Sequence, residues 1–178
     1  MSPEQEKVYI EESKTNPQRF EPLYIKYYER ILKFVYKRME GLDDAREVTA
    51  VVFTKALINI SKYTDLGFPL SSWLYRIAIN EVNLHYRHSK KQRVLSIDDN
   101  GLKNIAGEGD RVDTEVIAEL KNALMYLNEY ELLLIELRFF EGHPFAEIGQ
   151  ILEITENNAK VKTYRVLDKL RKVYREIG

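Results

Sequence analysis

The chain has 178 residues, of which 44% are hydrophobic, and its 27 Lys or Arg and 28 Asp or Glu give a formal net charge of −1. This composition is typical of one ordinary globular domain or two small ones, and no apolar run approaches the roughly 18 residues of a membrane-spanning helix. The absence of cysteine excludes disulfides and thiolate metal sites. The N-terminal residues are polar and acidic, unlike a signal peptide, so we expect a cytoplasmic protein without membrane insertion.

The first 41 residues predict one clear helix. Residues 1–15 have weak apolar periodicity, so they fray or form a short helix. Asn16 and Pro17 are a helix start signal, and Gly41 is expected to end the helix that follows. This Tyr-rich helix favours a core face over a stacking platform, because its aromatic residues recur every three or four positions. The expected core residues are Phe20, Tyr24, Tyr27, Ile31 and Phe34 or Val35.

A second helix is predicted from a cap at Asp43 or Asp44 to about Tyr63. Its core stripe consists of Ala45, Val48, Val52, Ala56 and Ile60. Phe53 lies partly outside this stripe, so we expect it to be exposed. An exposed Phe beside charged residues favours a docking surface, although single exposed aromatic side chains are also common.

After a loop at residues 64–70, a third helix is predicted from Trp73 to about Arg87, capped by Ser71 or Ser72. Leu74, Ile77, Ala78 and Val82 are expected to pack inward. The rest of the helix mixes aromatic, amide and basic groups, the combination that stacks unpaired bases and holds phosphates. A buried Trp that serves stability alone is the alternative. These outer residues are Trp73, Arg76, Asn80, Asn83, Tyr86 and Arg87.

Charge is segregated along the middle of the chain. Residues 76–93 contain five basic residues and one acidic residue, whereas residues 96–115 contain six acidic and two basic residues. Residues 89–113 hold three glycines and few large apolar groups, so we expect a flexible acidic linker. Together with a basic C-terminal end, this pattern indicates that DNA is handled at two places.

The remainder of the chain predicts four helices. Thr114 caps the first, and Asn128 with Glu131 forms a capping box for the second, which Glu141 and Gly142 end after Phe140. A short helix follows, with Pro144 at its first position. Its apolar residues are Phe145, Ile148, Ile151 and Leu152.

The last helix is capped by Thr155, and from residue 156 to 178 it carries seven basic residues against three acidic ones. Two short helices joined by about three residues, the second one basic, make a helix-turn-helix whose second helix fits the major groove. Asn157, Asn158 and Lys160 can then reach base edges. Phosphates are the expected partners of Lys162, Arg165 and Lys169. A plain amphipathic hairpin is the alternative. The expected core is Ala159, Thr163, Val166, Leu167 and Leu170.

Two blocks of this sequence resemble one known family. The run from Asp44 to Ala56, followed by Trp73 to Asn80, is similar to region 2 of bacterial extracytoplasmic-function (ECF) sigma factors. The helix-turn-helix from Phe145 to Val166 resembles region 4 of the same proteins. The resemblance implies an all-α fold with two small helical domains, residues 1–88 and 114–178, joined by the linker at residues 89–113. Glu153 departs from the family, which usually has glycine in this turn, and His143 stands where a Ser or Thr cap is preferred.

The resemblance implies partners and roles. Region 2 would bind the clamp helices of the largest subunit of core RNA polymerase, and region 4 the flap of the second-largest subunit. The polymerase-binding residues would be Asp44, Glu47, Thr49, Phe53 and Lys55. The minus-ten promoter element would be opened and bound by Tyr63, Phe68, Trp73, Arg76, Asn80, Asn83 and Arg87. The minus-thirty-five element would be bound by Asn157, Asn158, Lys160, Lys162, Tyr164 and Arg165. Many relatives are also sequestered by an anti-sigma factor.

No catalytic arrangement emerges from the sequence. His85, His88 and His143 have no spacing that matches a metal site with a carboxylate partner, so we expect no metal, cofactor or enzymatic activity. Glu129, Glu131 and Glu136 are expected to be helix-surface charges. The sequence therefore favours a non-enzymatic promoter-specificity subunit. The alternatives are a stand-alone dimeric helix-turn-helix regulator and an all-helical adaptor that binds acidic proteins.

Overall fold

The computed structural model of the chain describes residues 1–89, 102, 105 and 114–177. These residues form helices and turns, and no strand occurs among them, which confirms the expected all-α fold. The chain divides into two compact units, Met1–Ser96 and Ile97–Gly178. The expected linker at residues 89–113 lies almost wholly outside the described residues, so its flexibility stays a prediction.

Four helices lie among the described residues of the first unit, 1–89. They are α1 (Pro3–Ser13), α2 (Glu21–Tyr36), α3 (Leu42–Asn59) and α4 (Leu70–Ser89). Short 3-10 turns at Pro17–Phe20 and Ile60–Lys62 lead into α2 and extend α3. Helix α3 packs against both α2 and α4, and the core lies between the three helices. Its fully buried residues include Leu23, Ile31, Phe34, Val52, Leu70, Leu74 and Tyr75.

Several expected helix ends in this unit were wrong. Helix α2 ends at Tyr36, and Gly41 is the N-cap of α3 rather than the end of α2. Asp43 lies with Asp44 in the first turn of α3, where a carboxylate is favoured by the positive end of the helix dipole. Helix α4 begins at Leu70, three residues before the expected start, so Ser71 and Ser72 are buried inside its first turn instead of capping it.

The buried faces of α2 and α4 also differ from expectation. Tyr24 is exposed, and Leu23 takes its place in the core, because the buried stripe of α2 begins one residue earlier. Tyr86, expected on the outer face of α4, is buried, and its hydroxyl donates a hydrogen bond to the carbonyl of Arg38. Some aromatic side chains of α4, such as Tyr86, are therefore buried in the core, and others, such as Trp73, remain partly exposed.

The N-terminal segment is a capped helix. Ser2 and Gln5 form a capping box at the start of α1. One turn later, the Glu6 side chain is buried, with 6% of the residue exposed. Its Oε2 accepts hydrogen bonds from the Tyr27 hydroxyl at 2.5 Å and from the Lys26 ammonium, and its Oε1 accepts the Leu70 backbone N–H at 3.1 Å.

These hydrogen bonds change the acidity of Glu6. Burial alone raises the pKa of its carboxyl, but the bonds from Lys26, Tyr27 and the Leu70 N–H outweigh burial and hold this pKa below the ordinary 4.5. Burial and the Glu6 carboxylate raise the pKa of Tyr27. Glu6 is thus a buried, ionised group that joins α1 to α2 and to the start of α4.

Residues 114–177 of the second unit form α5 (Thr114–Leu124), α6 (Glu129–Ile135), α7 (Phe145–Leu152) and α8 (Glu156–Ile177), and a π-helical turn at Glu136–Phe140 extends α6. The capping box is confirmed: the Glu131 N–H donates to Asn128 Oδ1, and the Asn128 N–H donates to Glu131 Oε2, each at 2.9 Å. Helix α8 packs against α5, α6 and α7. Glu136, expected on the surface, is buried in the turn that follows α6.

Glu6→Gln is expected to lower the free energy of unfolding at pH 7 by about 1–3 kcal/mol, because it removes the charge from these hydrogen bonds. The folded-state pKa of Glu6 is lowered, so its contribution is complete above pH 4.5 and is lost as the pH falls through the folded-state value. Urea unfolding at pH 7 and in acid measures both effects. Glu29→Gln, at an exposed position of α2, is the control. An unchanged midpoint at pH 7 would contradict the prediction.

Candidate nucleic-acid and protein interfaces

The turn between α7 and α8 depends on Gly149. A Cβ at this position would lie 2.7 Å from the carbonyl oxygen of Ile154 and 3.2 Å from the backbone nitrogen of Glu156. The Ile154 N–H donates to the Gly149 carbonyl at 2.9 Å, so the returning chain lies directly on α7. Glycine is the residue that permits this approach. The sequence signal was present, since Gly149 interrupts the apolar face of α7, but its role was not predicted.

Three residues at the ends of α7 and α8 have distinct roles. Glu153 ends α7 in the left-handed region, with φ of 56°, a conformation that glycine or asparagine usually supplies. Thr155 caps α8 as predicted, because its Oγ1 accepts the Asn158 N–H at 3.2 Å. Pro144 was expected in the first position of α7, but the helix begins at Phe145 and Pro144 is its extended N-cap. The predicted helix-turn-helix is therefore present, with a shifted start.

The outer face of α8 is available at its N-terminal end. Ala159, Thr163, Val166 and Leu170 are buried against the rest of the unit. The opposite face carries Asn157, Asn158, Lys160, Val161, Tyr164 and Arg165, all of them exposed. Five of the six predicted duplex-reading residues thus lie on one surface, with an amide pair preceding the first basic side chain. An exposed helix end with this chemistry can enter a major groove.

Two lysines of α8 are engaged within the unit. Lys162 Nζ lies 5.2 Å from the ring centre of Tyr130, a cation–π contact. Lys169 Nζ lies 2.6 Å from Glu131 Oε2, the carboxylate that also caps α6. Burial raises the pKa of Glu131, but Lys169 and the Asn128 N–H outweigh it and lower this pKa below its ordinary value. The expectation that Glu131 is a plain surface charge was wrong.

The start of α7 is held by His143. Its ring is buried, and Nδ1 lies 2.7 Å from Glu147 Oε2 on the first turn of α7. Arg138 donates to the His143 carbonyl at 3.0 Å, and its guanidinium lies 4.6 Å from the ring centre of Phe145. His143 thus replaces a hydroxyl cap with a packed contact that fixes how α7 begins.

In the first unit, α3 and α4 enclose a surface pocket of about 330 Å³. Its lining consists of Lys55, Asn59, Lys62, Trp73, Ile77, Asn80 and Glu81. The sequence predicted a role for Trp73 and Asn80, and the structure brings both to this pocket. Lys55 closes one side through an ion pair with Glu81, in which Nζ lies 2.6 Å from Oε1. A flat aromatic ring, an amide and ammonium groups together suit a nucleobase and its phosphate.

The pocket contains residues that the sequence reasoning missed. Asn59 follows Lys55 by four positions on α3, and Lys62 follows by three more in the 3-10 turn that extends the helix, so the three residues lie on the side that meets α4. This spacing could be read from the sequence. However, the three residues form one wall of a pocket only because α3 packs against α4. Tyr63 extends the wall, because its ring centre lies 5.0 Å from that of Trp73. Burial, with the nearby Asp65 and Glu6 carboxylates, raises the pKa of Tyr63 to about 12.

The remaining predicted residues surround this pocket less closely. Phe68 is half-buried in the loop before α4, next to Gly67, whose φ of 80° marks a tight turn. Arg76 and Asn83 are half-buried on α4, and Arg87 is exposed near its end. None of these four lines the pocket itself.

The predicted polymerase-binding residues do not form one surface. Phe53 is 4% exposed, so the expectation that it is exposed was wrong. The centre of its ring lies 4.9 Å from the ring centre of Tyr24 and 6.0 Å from that of Tyr28. Thr49 is also buried, and its hydroxyl donates to the Ala45 carbonyl at 2.7 Å. Because α3 is covered by two helices, its buried face is wider than the stripe of Val48 and Val52 implied.

Helix α3 nevertheless has a continuous outer face. Glu47 is exposed and Asp44 half-buried near its N-terminal end, while Lys55 faces the pocket. Val51 and Ile58 lie on this outer face and are 38% and 69% exposed. Exposed apolar side chains next to carboxylates are suited to contact with another protein.

Residues 1–89 and 114–177 lack two kinds of feature. Within them, no helix combines the length and the apolar character needed to cross a membrane. The same residues hold no group of three His, Asp or Glu side chains arranged to bind a metal ion.

Comparison with known proteins gives a consistent result. Residues 23–92 match the family Sigma-70 region 2, and residues 123–172 match Sigma-70, region 4. The ECF RNA polymerase sigma factor BldN of Streptomyces coelicolor is 27% identical over 158 residues, which cover 86% of this chain but only 60% of BldN. The ECF RNA polymerase sigma factor SigW of Bacillus subtilis is 26% identical over 162 residues, covering 85% of this chain and 86% of SigW.

A solved structure shares the fold. CnrH, in complex with the cytosolic domain of CnrY, aligns with a TM-score of 0.65 over 97% of this chain and 99% of CnrH, at 16% sequence identity. At this identity the likeness concerns the arrangement of helices alone.

Gly149→Ala is expected to destabilise the helix-turn-helix by about 1–3 kcal/mol, because the added Cβ meets backbone atoms that cannot rotate away. Hydrogen exchange of the α7 and α8 amides in the full chain measures this loss. Gln150→Ala, a substitution at the next position that adds no atoms, is expected to leave the exchange rates of α8 unchanged. Equal protection in Gly149→Ala and the unaltered chain would show that the turn can move.

Proposed function

Because the chain belongs to the ECF family of RNA polymerase sigma factors, we propose that it binds core RNA polymerase and directs it to particular promoters. The observation that carries this proposal is the presence of two different DNA-suited surfaces in one chain. The α3–α4 pocket suits an unpaired base, and the exposed N-terminal end of α8 suits duplex DNA. Matches to region 2 and region 4, in that order, support the pairing.

The minus-thirty-five element is read by α8 in the major groove. Asn157, Asn158 and Lys160 stand at the exposed N-terminal end of the helix, the part that reaches base edges in this motif. Arg165 lies further along the same surface, where a phosphate is the nearer partner. The ammonium group of Lys162 lies over the ring of Tyr130 and would have to give up this cation–π contact to bind DNA. Lys162 is therefore expected to make the weakest of the proposed DNA contacts.

The minus-ten element is opened at the α3–α4 pocket. A base flipped out of the non-template strand requires a stacking surface and a hydrogen-bonding partner. Trp73 supplies an aromatic face, and the Asn80 amide both donates and accepts hydrogen bonds. The ammonium group of Lys62 lines the same pocket and can neutralise the adjoining phosphate. Phe68 lies in the loop that precedes α4, outside the pocket lining, and would stack on the base from there.

Core polymerase binds the outer face of α3. Glu47 and Asp44 provide charge near its N-terminal end, and the exposed Val51 and Ile58 provide apolar contact for the clamp helices of the largest subunit. Phe53 and Thr49 support this face from beneath through packing. The second unit would contact the flap of the second-largest subunit. An anti-sigma factor is a further expected partner, in keeping with the family.

The protein acts without catalysis of its own, in the cytoplasm where polymerase and promoters are found. A stand-alone regulator is not favoured, because it would leave the match of residues 23–92 to Sigma-70 region 2 unexplained. The all-helical adaptor likewise gives no reason for an aromatic and amide pocket in the first unit and a helix suited to duplex DNA in the second.

Glu47→Lys is expected to weaken binding of core polymerase by about 1–2 kcal/mol, because it reverses an exposed charge in the proposed interface. A fluorescence titration of the labelled full chain with core enzyme measures the change, and circular dichroism should be unaltered. Glu29→Lys makes the same charge change at an exposed position of α2 and serves as the control. Equal affinities for all three proteins would refute the α3 interface.

Lys160→Ala is expected to change which minus-thirty-five sequences are used, with a loss of about 1–3 kcal/mol at the base pair that it contacts. Lys172→Ala, at an exposed position farther along α8, should weaken all sequences about equally. Transcription by the reconstituted holoenzyme from a library of upstream elements separates the two patterns. An unchanged sequence profile for Lys160→Ala would rule out base reading by this residue.

A further inference from the structure

Helix α1 reaches the loop between α3 and α4 at two points, although it lies outside the residues matched to Sigma-70 region 2, which begin at residue 23. Lys7 Nζ lies 3.2 Å from Asp65 Oδ2 in the first part of the loop. Glu6 Oε1 accepts the backbone N–H of Leu70, where the loop becomes α4. Two adjacent residues of one helix therefore hold the loop near both of its ends.

The loop is organised from within by the same aspartate that Lys7 contacts. Asp65 Oδ1 accepts the Gly67 N–H at 2.8 Å, which closes a tight turn just before Phe68. The hydrogen bond from the Gly67 N–H, followed by Lys7, lowers the pKa of the Asp65 carboxyl. Each oxygen of Asp65 thus has a separate partner, one inside the loop and one on α1.

The loop also adjoins the pocket. Tyr63 stands at the start of the loop, and its ring contacts the ring of Trp73 in a tilted arrangement, with the ring centres 5.0 Å apart and the planes at 50°. Trp73 is in the first turn of α4, three residues after Leu70. Displacing the loop would therefore move Tyr63 and disturb its contact with Trp73, which lines the pocket. The Lys7–Asp65 pair is solvent-exposed, with side chains 64% and 30% exposed, and by itself is worth little stability. The neighbouring residue, Glu6, is buried and holds the other end of the loop at Leu70. The two contacts together therefore fix the position of the loop, in addition to any stability that they contribute.

We propose that α1 is the positioning element of the promoter-opening loop, with Lys7 and Glu6 as positioning residues that act through Asp65 and Leu70. The inference rests on the proposed function of the α3–α4 pocket. A loop held in its binding conformation before DNA arrives loses less conformational entropy when it captures a base. Helix α1 therefore favours promoter opening without contacting DNA.

The first test uses the free protein. Trp73 is the only tryptophan of the chain, so its fluorescence reports on the Tyr63–Trp73 contact without any partner. Lys7→Met and Asp65→Asn, the latter keeping an acceptor for the Gly67 N–H, should each increase acrylamide quenching of Trp73. The double variant should show no further increase, because both changes remove one interaction. Lys33→Met, at an exposed position of α2, should match the unaltered chain. Identical quenching in every variant would overturn the inference.

The second test measures promoter opening by permanganate footprinting of the reconstituted holoenzyme. Lys7→Met and Asp65→Asn should each reduce open complexes roughly two- to fivefold, the range for an exposed ion pair, with the closed complex unaffected. The double variant should form as many open complexes as each single variant. Full additivity would mean that the two residues act independently, and the positioning role would be rejected.

Asn80→Ala separates this inference from the proposed function. If it opens promoters normally, base capture at the pocket is wrong, and the inference about promoter opening is withdrawn with it. If Asn80→Ala is defective while Lys7→Met opens promoters normally, the pocket stands and the role of α1 is overturned. A Glu6→Gln holoenzyme that retains core binding but opens promoters poorly would support the role of α1.

Discussion

The first unit depends on one buried carboxylate. An ionised side chain inside a protein costs several kcal/mol unless hydrogen bonds and opposite charge compensate it. Glu6 receives that compensation from Lys26 and Tyr27 of α2 and from the N-terminal backbone of α4. These contacts fix the register in which helix α1 docks, since a shift by one residue would turn Glu6 away from all three partners. The start of α4, and with it the pocket wall at Trp73, is fixed by the same requirement.

Several features that local sequence determines were predicted correctly, although the caps expected at the starts of α3 and α4 were not. Helix periodicity identified the core stripe of α8, and the capping roles of Thr155 and Asn128 follow from side chains that reach only three residues along the chain. The two-helix motif and the aromatic and amide character of α4 were likewise readable, because each is contained in one continuous segment. Resemblance to a family then joined these segments into one function, which the matches to two sigma regions confirm.

The errors about which side chains are buried or paired arose where packing between distant segments determines the outcome. Phe53 lies beside a correctly predicted stripe, but α2 covers that side of α3 with Tyr24 and Tyr28. Glu6 is in a segment of weak periodicity, and its partners are 20 to 64 positions away along the chain. The partners of Lys162 and Lys169 belong to α6, so a charge count on α8 alone did not reveal that both are engaged. The spacing of residues within one helix does not predict contacts with side chains on another helix.

The engagement of these lysines bears on how the second unit responds to ionic strength. Helix α8 carries seven basic residues, but Lys162 lies over Tyr130, Lys169 is paired with Glu131, and Arg171 Nη1 lies 2.9 Å from Asp168 Oδ1. DNA binding is weakened by salt in proportion to the phosphate charges that a protein neutralises, since each releases condensed counterions. Cations already satisfied within the unit contribute less to that release. Affinity for the duplex should then depend less on counterions than the basic composition of the helix suggests, and more on the exposed amides at its start.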